Sequence, residues 1–203
     1  LRRAAQLCPH AIFLPGHPSR YRDKSREVFE VLNCFSPKVE MASIDEAYLG
    51  LTGTRRLLGP PLKAAQRLHD GVKEATGLNC SIGIATSRLL AKVASDQAKP
   101  NGMLWVPPGA EAGFLAPLDV RKIPGVGAKT EQHLAQYGIR RVGDLARIDE
   151  AFLESLLGKW GLALAGKAHG LDAGGYFQGE VGDHDDPKSI SHEHTFGEDS
   201  PNA

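Results

Sequence analysis

Two adjacent carboxylates, Asp45 and Glu46, are the residues whose types and spacing most directly suggest chemistry. On a regular strand, adjacent side chains point to opposite faces of the sheet. Both carboxylates can therefore reach one ion only where the backbone turns or bulges. Their apolar neighbours Ile44 and Ala47 make burial of two charges costly unless a cation compensates them. For the pair taken alone a solvated hairpin tip is the simpler prediction, and a cation site on a β-hairpin is the alternative.

Two other positions have the composition of phosphate-binding sites. Gly125-Val126-Gly127 can turn the backbone tightly and direct N–H groups outward at the start of a helix, with Lys129 adding positive charge beside it. Lys99 precedes the rigid Pro100, and a compact ammonium on a long stem suits a triphosphate. The alternatives are an ordinary turn and a solvated loop lysine.

The elements that must position these residues follow from hydrophobic periodicity. Period-two alternation on both sides of Asp45 predicts two strands that meet at a hairpin. Ser87 is suited to cap a helix that reaches about Gln97. The predicted elements are helices at 18–35, 61–76 and 87–97, and strands at 10–15, within 38–51, at 80–85 and at 103–106. Their order indicates an α+β fold with a partial antiparallel sheet and helices on one face.

The pattern changes after Pro107-Pro108. Residues 109–177 contain short helical patterns and predict no strand. A first helix at 116–122, a hairpin at 124–127 and a second helix at 128–137 together form a helix-hairpin-helix pattern. From Gly179 the chain becomes acidic and rich in turn-forming residues, which predicts a linker, and 188–196 alternates like the beginning of a new strand.

Composition and charge limit the classes of function. The chain has 203 residues, of which 41% are hydrophobic and 24% charged, as in an ordinary globular protein. No apolar run approaches the roughly 20 residues that span a bilayer, so we expect no membrane association. Residues 1–177 hold 23 Lys and Arg against 17 Asp and Glu, whereas 178–203 hold one lysine against seven acids. The zero net charge therefore hides a mildly basic body that permits phosphate binding. Three widely spaced cysteines provide no disulfide or zinc framework, and a cytoplasmic location is expected.

The motif at 43–49, Ser-Ile-Asp-Glu-Ala-Tyr-Leu, resembles the palm motif of the Y-family (translesion) DNA polymerases, particularly the bacterial DNA polymerase IV-like members. The segments 7–21 and 80–102 are also similar to this family. The resemblance implies two Mg²⁺ ions, with Asp45 bridging both and Glu46 serving the ion on the primer side. It also implies that Lys99, in Ala-Lys-Pro-Asn-Gly, contacts the triphosphate of an incoming nucleotide.

The segment 123–130 resembles the thumb of the same family. That likeness implies contacts to the DNA backbone from Gly125, Val126, Gly127 and Lys129. The implied domains are the end of the fingers at 1–14, a partial palm at 15–106, the thumb at 107–177, and a linker with the first little-finger strand at 178–203. The implied partners are primer-template DNA, deoxynucleoside triphosphates and, through regions outside this sequence, a sliding clamp. A monomer is expected.

The family pattern also contains a third carboxylate and most of a fingers domain, and we expect both to precede Leu1. The start at Leu1-Arg2-Arg3, without an initiator Met, is interpreted as a cut inside a longer polypeptide. We expect nucleotidyl transfer from the complete protein, and no polymerase activity and weak, salt-sensitive DNA binding from residues 1–203 alone. Two alternatives stay open: a non-catalytic Y-family-like accessory factor, and a plain DNA-binding module based on the hairpin.

Overall fold

A computed structural model describes residues 1–174, 177, 179–182, 191 and 193 of the chain. Most of the predicted linker and of the strand predicted at 188–196 therefore lies outside the described residues. Within the described part, no helix combines the length and the apolar character required to cross a membrane.

The N-terminal half contains the predicted hairpin between two long helices. Its elements are α1 (Arg2–Leu7), α2 (Pro18–Asn33), β1 (Val39–Met41), β2 (Ala47–Leu49), α3 (Arg55–Leu58) and α4 (Pro61–Thr76). Proline opens α2 and α4, where its missing N–H costs nothing, and Gly77 ends α4 in the left-handed conformation with φ of 74°. Strands β1 and β2 pair antiparallel, with Glu40 opposite Tyr48. The helices and hairpin predicted here are confirmed.

The segment 10–15, predicted as a strand, is not one. Its backbone joins no β-ladder, and the side chains of Ile12 and Leu14 are 86% and 82% exposed. A strand needs a hydrogen-bonded neighbour, and this segment has none among the described strands.

The second pair of strands is parallel, not antiparallel as predicted. Strand β3 (Ile82–Ile84) leads into α5 (Arg88–Gln97) and then into β4 (Met103–Trp105), which pairs beside β3 in the same direction. A helix between two neighbouring strands returns the chain to the end where it started, so the strands run parallel. The Ser87 hydroxyl accepts a hydrogen bond from the Leu90 N–H and caps α5 as predicted. The α+β class is confirmed, as two two-stranded ladders with helices.

The C-terminal half is helical within its described residues. Its helices are α6 (Glu111–Leu115), α7 (Ala128–Ala135), α8 (Val142–Leu145), α9 (Glu150–Leu157) and α10 (Lys159–Ala168). The helix predicted at 116–122 is wrong: α6 ends at Leu115, and only a 3₁₀ turn at Val120–Lys122 follows. Asp119 caps that turn by accepting the Arg121 N–H, and Pro117 has no N–H with which to continue a helix.

Helix α5 connects the two halves. Its Leu90 and Val93 belong to the core of the C-terminal helices, together with residues such as Leu115, Ile123 and Leu153. A second core lies between α2, α4 and the hairpin strands, around Leu32, Leu68 and Val72. The carboxylate of Asp172 accepts the N–H groups of Arg88 and Leu89, so the chain after α10 returns to the start of α5. Leu89 of α5 packs with Tyr48 of β2, so α5 contacts both the hairpin and the C-terminal helices.

Candidate active site

The hairpin turn releases Asp45 and Glu46 from strand alternation. The last register pair is Met41 with Ala47. Beyond it, the N–H groups of Ala42 and Ser43 both donate to the Glu46 carbonyl, at 2.9 and 3.2 Å. The backbone bends from Ala42 to Asp45. The predicted condition for two adjacent carboxylates to serve one site, a turn at that position, is therefore met.

Asp45 lies at the exposed tip of this turn and is oriented by Ser43. The Ser43 hydroxyl donates to Asp45 Oδ1 at 2.6 Å, and the Asp45 N–H donates to the Ser43 hydroxyl at 3.3 Å. This local Ser-type (ST) turn fixes the carboxylate without burying it. The remaining lone pairs of Asp45 face solvent and are accessible to a cation or substrate.

Glu46 is half-buried and forms an ion pair with Lys92 of α5. The Lys92 side chain is only 21% exposed, and its ammonium also lies 3.5 Å from Asp96 Oδ2. Burial lowers the pKa of Lys92, but the hydrogen bond to Glu46 and the charges of Asp96 and Glu46 outweigh it and raise the pKa above its ordinary value. Lys92 is thus a persistent positive charge beside the candidate carboxylate.

Asp96 connects Lys92 to Lys99. Its Oδ1 atom accepts a hydrogen bond from Lys99 Nζ at 2.7 Å, while Oδ2 faces Lys92. Burial raises the pKa of Asp96, but the hydrogen bond from Lys99 and the charge of Lys92 lower it by more. The pKa of Asp96 is therefore below its ordinary value. Asp96 holds the Lys99 ammonium, and the Lys99 side chain is 61% exposed, so it stays accessible to an anionic ligand.

The turn that carries Lys99 is held from α4. The Lys99-Pro100 peptide bond is cis, and Asn101 has a positive φ of 57°. The Nε2 atom of His69 lies 2.9 Å from the Asn101 side-chain oxygen. Two elements, α4 and α5, therefore fix the loop that presents the lysine.

From sequence, Asp96 has no predicted role, and Lys92 is interpreted only as structural or phosphate-adjacent. Their spacing contained a usable signal, because positions 92 and 96 are four apart on a helix and share one face. Nothing in the sequence paired Lys92 with Glu46, since that contact depends on how α5 packs against the hairpin.

The donor atoms of Asp45 and Glu46 fit a hard cation, because Mg²⁺ prefers carboxylate oxygens. The geometry also supports such a site, since one carboxylate is exposed and the other is held beside it by a tight turn. Among the described residues, no group of three or more His, Cys, Asp or Glu side chains could hold a metal.

The glycine hairpin lies at the start of α7 and is set by Gly125. Gly125 has φ of 98°, and a Cβ there would lie 2.5 Å from Cη2 of Trp160. Val126 is buried, and its N–H donates to the Ile123 carbonyl at 3.0 Å. Gly127 is the N-cap of α7, with open space around its Cα, and Lys129 is exposed in the first turn. The N–H groups at this helix start are thus free of side-chain caps and flanked by a cation.

Comparisons with known proteins agree with this arrangement. The model of the impB/mucB/samB family matches residues 1–96, and that of the IMS family HHH motif matches residues 108–139. A DNA polymerase IV of Dehalococcoides mccartyi is 44% identical over 199 residues, which is 98% of this chain and 50% of that protein. A DNA polymerase IV of Alkaliphilus oremlandii is 40% identical over 98% of this chain and 49% of its own length.

Solved structures give the same result. The ternary complex of Dbh has a TM-score of 0.73 and 31% identity, covering 83% of this chain and 51% of its own. DinB from Sulfolobus solfataricus has a TM-score of 0.72 and 31% identity, covering 82% of this chain and 50% of its own.

The α+β part with the hairpin carboxylates falls mainly within the match to the first family model, and the helical part after it carries the HHH motif of the second. The chain belongs to the Y-family of DNA polymerases, in its DinB-like branch. It spans about half the length of the curated relatives that it matches.

Proposed function

We propose that the complete protein containing this chain is a template-directed DNA polymerase of the translesion type. The observation that carries the proposal is the turn at 42–46, which places Asp45 and Glu46 side by side on a hairpin. The relatives named DNA polymerase IV and the neighbour described as a ternary complex support the same activity. Its partners are then primer-template DNA and deoxynucleoside triphosphates.

Asp45 and Glu46 would hold the magnesium ions of this reaction, together with a third carboxylate from outside this chain. When bound, the ions supply an activated primer hydroxyl and charge neutralisation at the leaving pyrophosphate. The chain's own residues prepare that site. Ser43 orients Asp45, and Lys92 restrains Glu46 through an ion pair.

Lys99 is proposed to bind the triphosphate. Its ammonium is exposed and is held near α5 by Asp96, so its position does not depend on a freely rotating side chain. A lysine ordered before binding loses less rotamer entropy when the nucleotide arrives.

The hairpin at Gly125–Gly127, with Lys129, is proposed to grip the DNA backbone. The N–H groups at the start of α7 and the positive end of its dipole suit a phosphate oxygen. Contacts of this kind position DNA without reading its bases, which a polymerase that copies any template requires.

The proposed domains keep the boundaries given by the resemblance: the end of the fingers at 1–14, a partial palm at 15–106, the thumb at 107–177, and a linker with the first little-finger strand beyond. We further propose that residues 1–203 alone do not extend a primer, because two carboxylates leave the metal site open. We also propose that the complete protein is a cytoplasmic monomer and that it contacts a sliding clamp through other regions.

The test is Mg²⁺-dependent primer extension by the complete gene product and by its Asp45→Ala variant. Loss of extension with retained DNA binding is expected. Extension unaffected by Asp45→Ala would contradict the proposed polymerase activity. Robust extension by residues 1–203 alone would contradict the proposal that two carboxylates leave the metal site open. Absence of extension in the wild type, with salt-sensitive DNA binding, would favour the accessory factor or the plain DNA-binding module.

A further inference from the structure

A buried lysine, Lys167 on α10, lies beneath the hairpin. Lysine is rarely buried without a partner, yet only 4% of this residue is exposed. Its Nζ donates a hydrogen bond to the Pro124 carbonyl at 3.1 Å. Burial lowers the pKa of its ammonium below the ordinary value, so the position carries an electrostatic cost.

Trp160 completes this support from the same helix. The Lys167 ammonium lies 4.5 Å from the centre of the Trp160 ring, within the range of a cation–π interaction. A Cβ added at residue 125 would lie 2.5 Å from Cη2, on the far edge of the same ring. Lys167 therefore holds the hairpin backbone at position 124. The Trp160 ring limits how closely that backbone can approach α10 at position 125.

The two constrained positions come directly before the N–H groups of α7. A shift at Pro124 or Gly125 would move Gly127, the N-cap, because at most two residues lie between them and the Val126 side chain is fixed in the core. A lysine replaced by an apolar side chain of similar length would fill the same space but would leave the Pro124 carbonyl without its donor.

We propose that Lys167 is a positioning residue for DNA binding: with Trp160 it holds the 124–127 hairpin in the conformation that presents its N–H groups to a backbone phosphate. This inference rests on the proposed function of the hairpin. Lys167 itself does not touch DNA, since it is buried, and it acts through the hairpin backbone.

The test is a double-mutant cycle measured as affinity of the chain for a labelled DNA duplex. Lys129→Ala removes the exposed charge beside the hairpin, and Lys167→Met removes the support. Each single variant is expected to weaken binding about tenfold, and the double variant little more than either, because both act through one contact. The exposed Lys159, also on α10, is the matched control: Lys159→Met is expected to combine additively with Lys129→Ala.

Two further measurements separate positioning from loss of fold. Lys167→Arg keeps a charged donor and is expected to restore most of the affinity. Trp160→Phe removes the part of the ring next to Gly125 and is expected to weaken binding and to be non-additive with Lys167→Met. This second cycle decides the matter if Lys167→Met combined with Lys129→Ala does not fold.

Additive effects of Lys167→Met and Lys129→Ala, or full affinity in Lys167→Met, would overturn this inference alone. Full affinity in Lys129→Ala, measured against the same duplex, would instead contradict the proposed role of the hairpin. The two failures are therefore distinguishable in one set of titrations.

Discussion

The Lys92 ammonium on α5 forms an ion pair with the Glu46 carboxylate on the hairpin, across 46 residues of sequence. Because Asp96 on the same helix also faces Lys92 and binds Lys99, the carboxylate pair and the candidate triphosphate lysine belong to one chain of charges. Replacing any one of these charged residues should therefore alter the contacts of both the hairpin and the loop after α5.

Replacement of Lys92 by methionine should destabilise the fold by about 1 kcal/mol, since Glu46 and Asp96 would lose the cation between them. Urea denaturation of the chain measures this change. Arg26→Met is the control, because Arg26 pairs with Asp23 on the exposed surface of α2 and should contribute less. Equal effects of the two substitutions would show that the Lys92 contacts contribute no more than a surface pair.

The Asp96 carboxylate should make stability depend on pH on the acid side. Its pKa is lowered in the folded chain, so its contribution is present above the ordinary Asp value of about 3.9 and is lost as pH falls through the folded pKa. Asp96→Asn should therefore be less stable than wild type at neutral pH, and the difference should shrink below about pH 3.9. Urea midpoints measured across this range check the sign, and a difference independent of pH would refute it.

Gly83 is where β3 comes closest to α5, and alanine should not be tolerated there. A Cβ at this position would lie 1.9 Å from the Ala91 carbonyl oxygen and 2.4 Å from the Ser95 nitrogen. We expect Gly83→Ala to lower the free energy of unfolding by at least ~3 kcal/mol, because backbone atoms cannot move aside as a flexible side chain would. Gly113→Ala is the matched control: its Cβ meets nothing within 4 Å, and alanine in helix α6 should be neutral or slightly stabilising. Thermal or urea unfolding that ranks the two variants equally would contradict this account of packing.

Gly125→Ala should destabilise the C-terminal helices by about 2 kcal/mol, because φ there is 98° and the ring of Trp160 occupies the space for a Cβ. Gly127→Ala should cost less, since its φ of −89° is open to any residue and only the N-cap preference is lost. Urea unfolding of both variants tests the order. A larger loss at Gly127 than at Gly125 would mean that the hairpin conformation is set in another way.

Lys129→Ala should lower the salt dependence of DNA binding as well as the affinity. One phosphate contact fewer reduces the slope of log affinity against log salt concentration by about one. Titrations of a labelled duplex at several salt concentrations provide the slope. An unchanged slope with weaker binding would indicate that the effect of Lys129 does not come from a phosphate contact.

Local patterns identified most of the elements that carry the candidate site. Helices α2, α4 and α5 and the hairpin at Asp45 follow from periodicity, from Pro and Gly at helix ends, and from the Ser87 cap, all of which are signals within a few residues. The direction of the β3–β4 pair was predicted wrongly because a run of apolar residues does not state which way its neighbour runs.

The connections inside the site could not be predicted in the same way. The pairing of Glu46 with Lys92 depends on how α5 docks on the hairpin, and the close approach of β3 to α5 depends on Gly83. Lys167 was not singled out, because nothing near it in sequence indicates a buried contact with Pro124, 43 residues away. Contacts between distant segments become visible only once the packing is known.

The most direct test of the central claim is incorporation of one nucleotide on a primed template by the complete gene product with Mg²⁺, comparing Asp45→Asn with wild type. Asp23→Asn is the control, because Asp23 is a carboxylate of α2 that is 64% exposed and pairs with Arg26. Asp45→Asn is expected to abolish incorporation while DNA binding persists, and Asp23→Asn is expected to behave as wild type. Incorporation by Asp45→Asn at the wild-type rate would contradict the central claim.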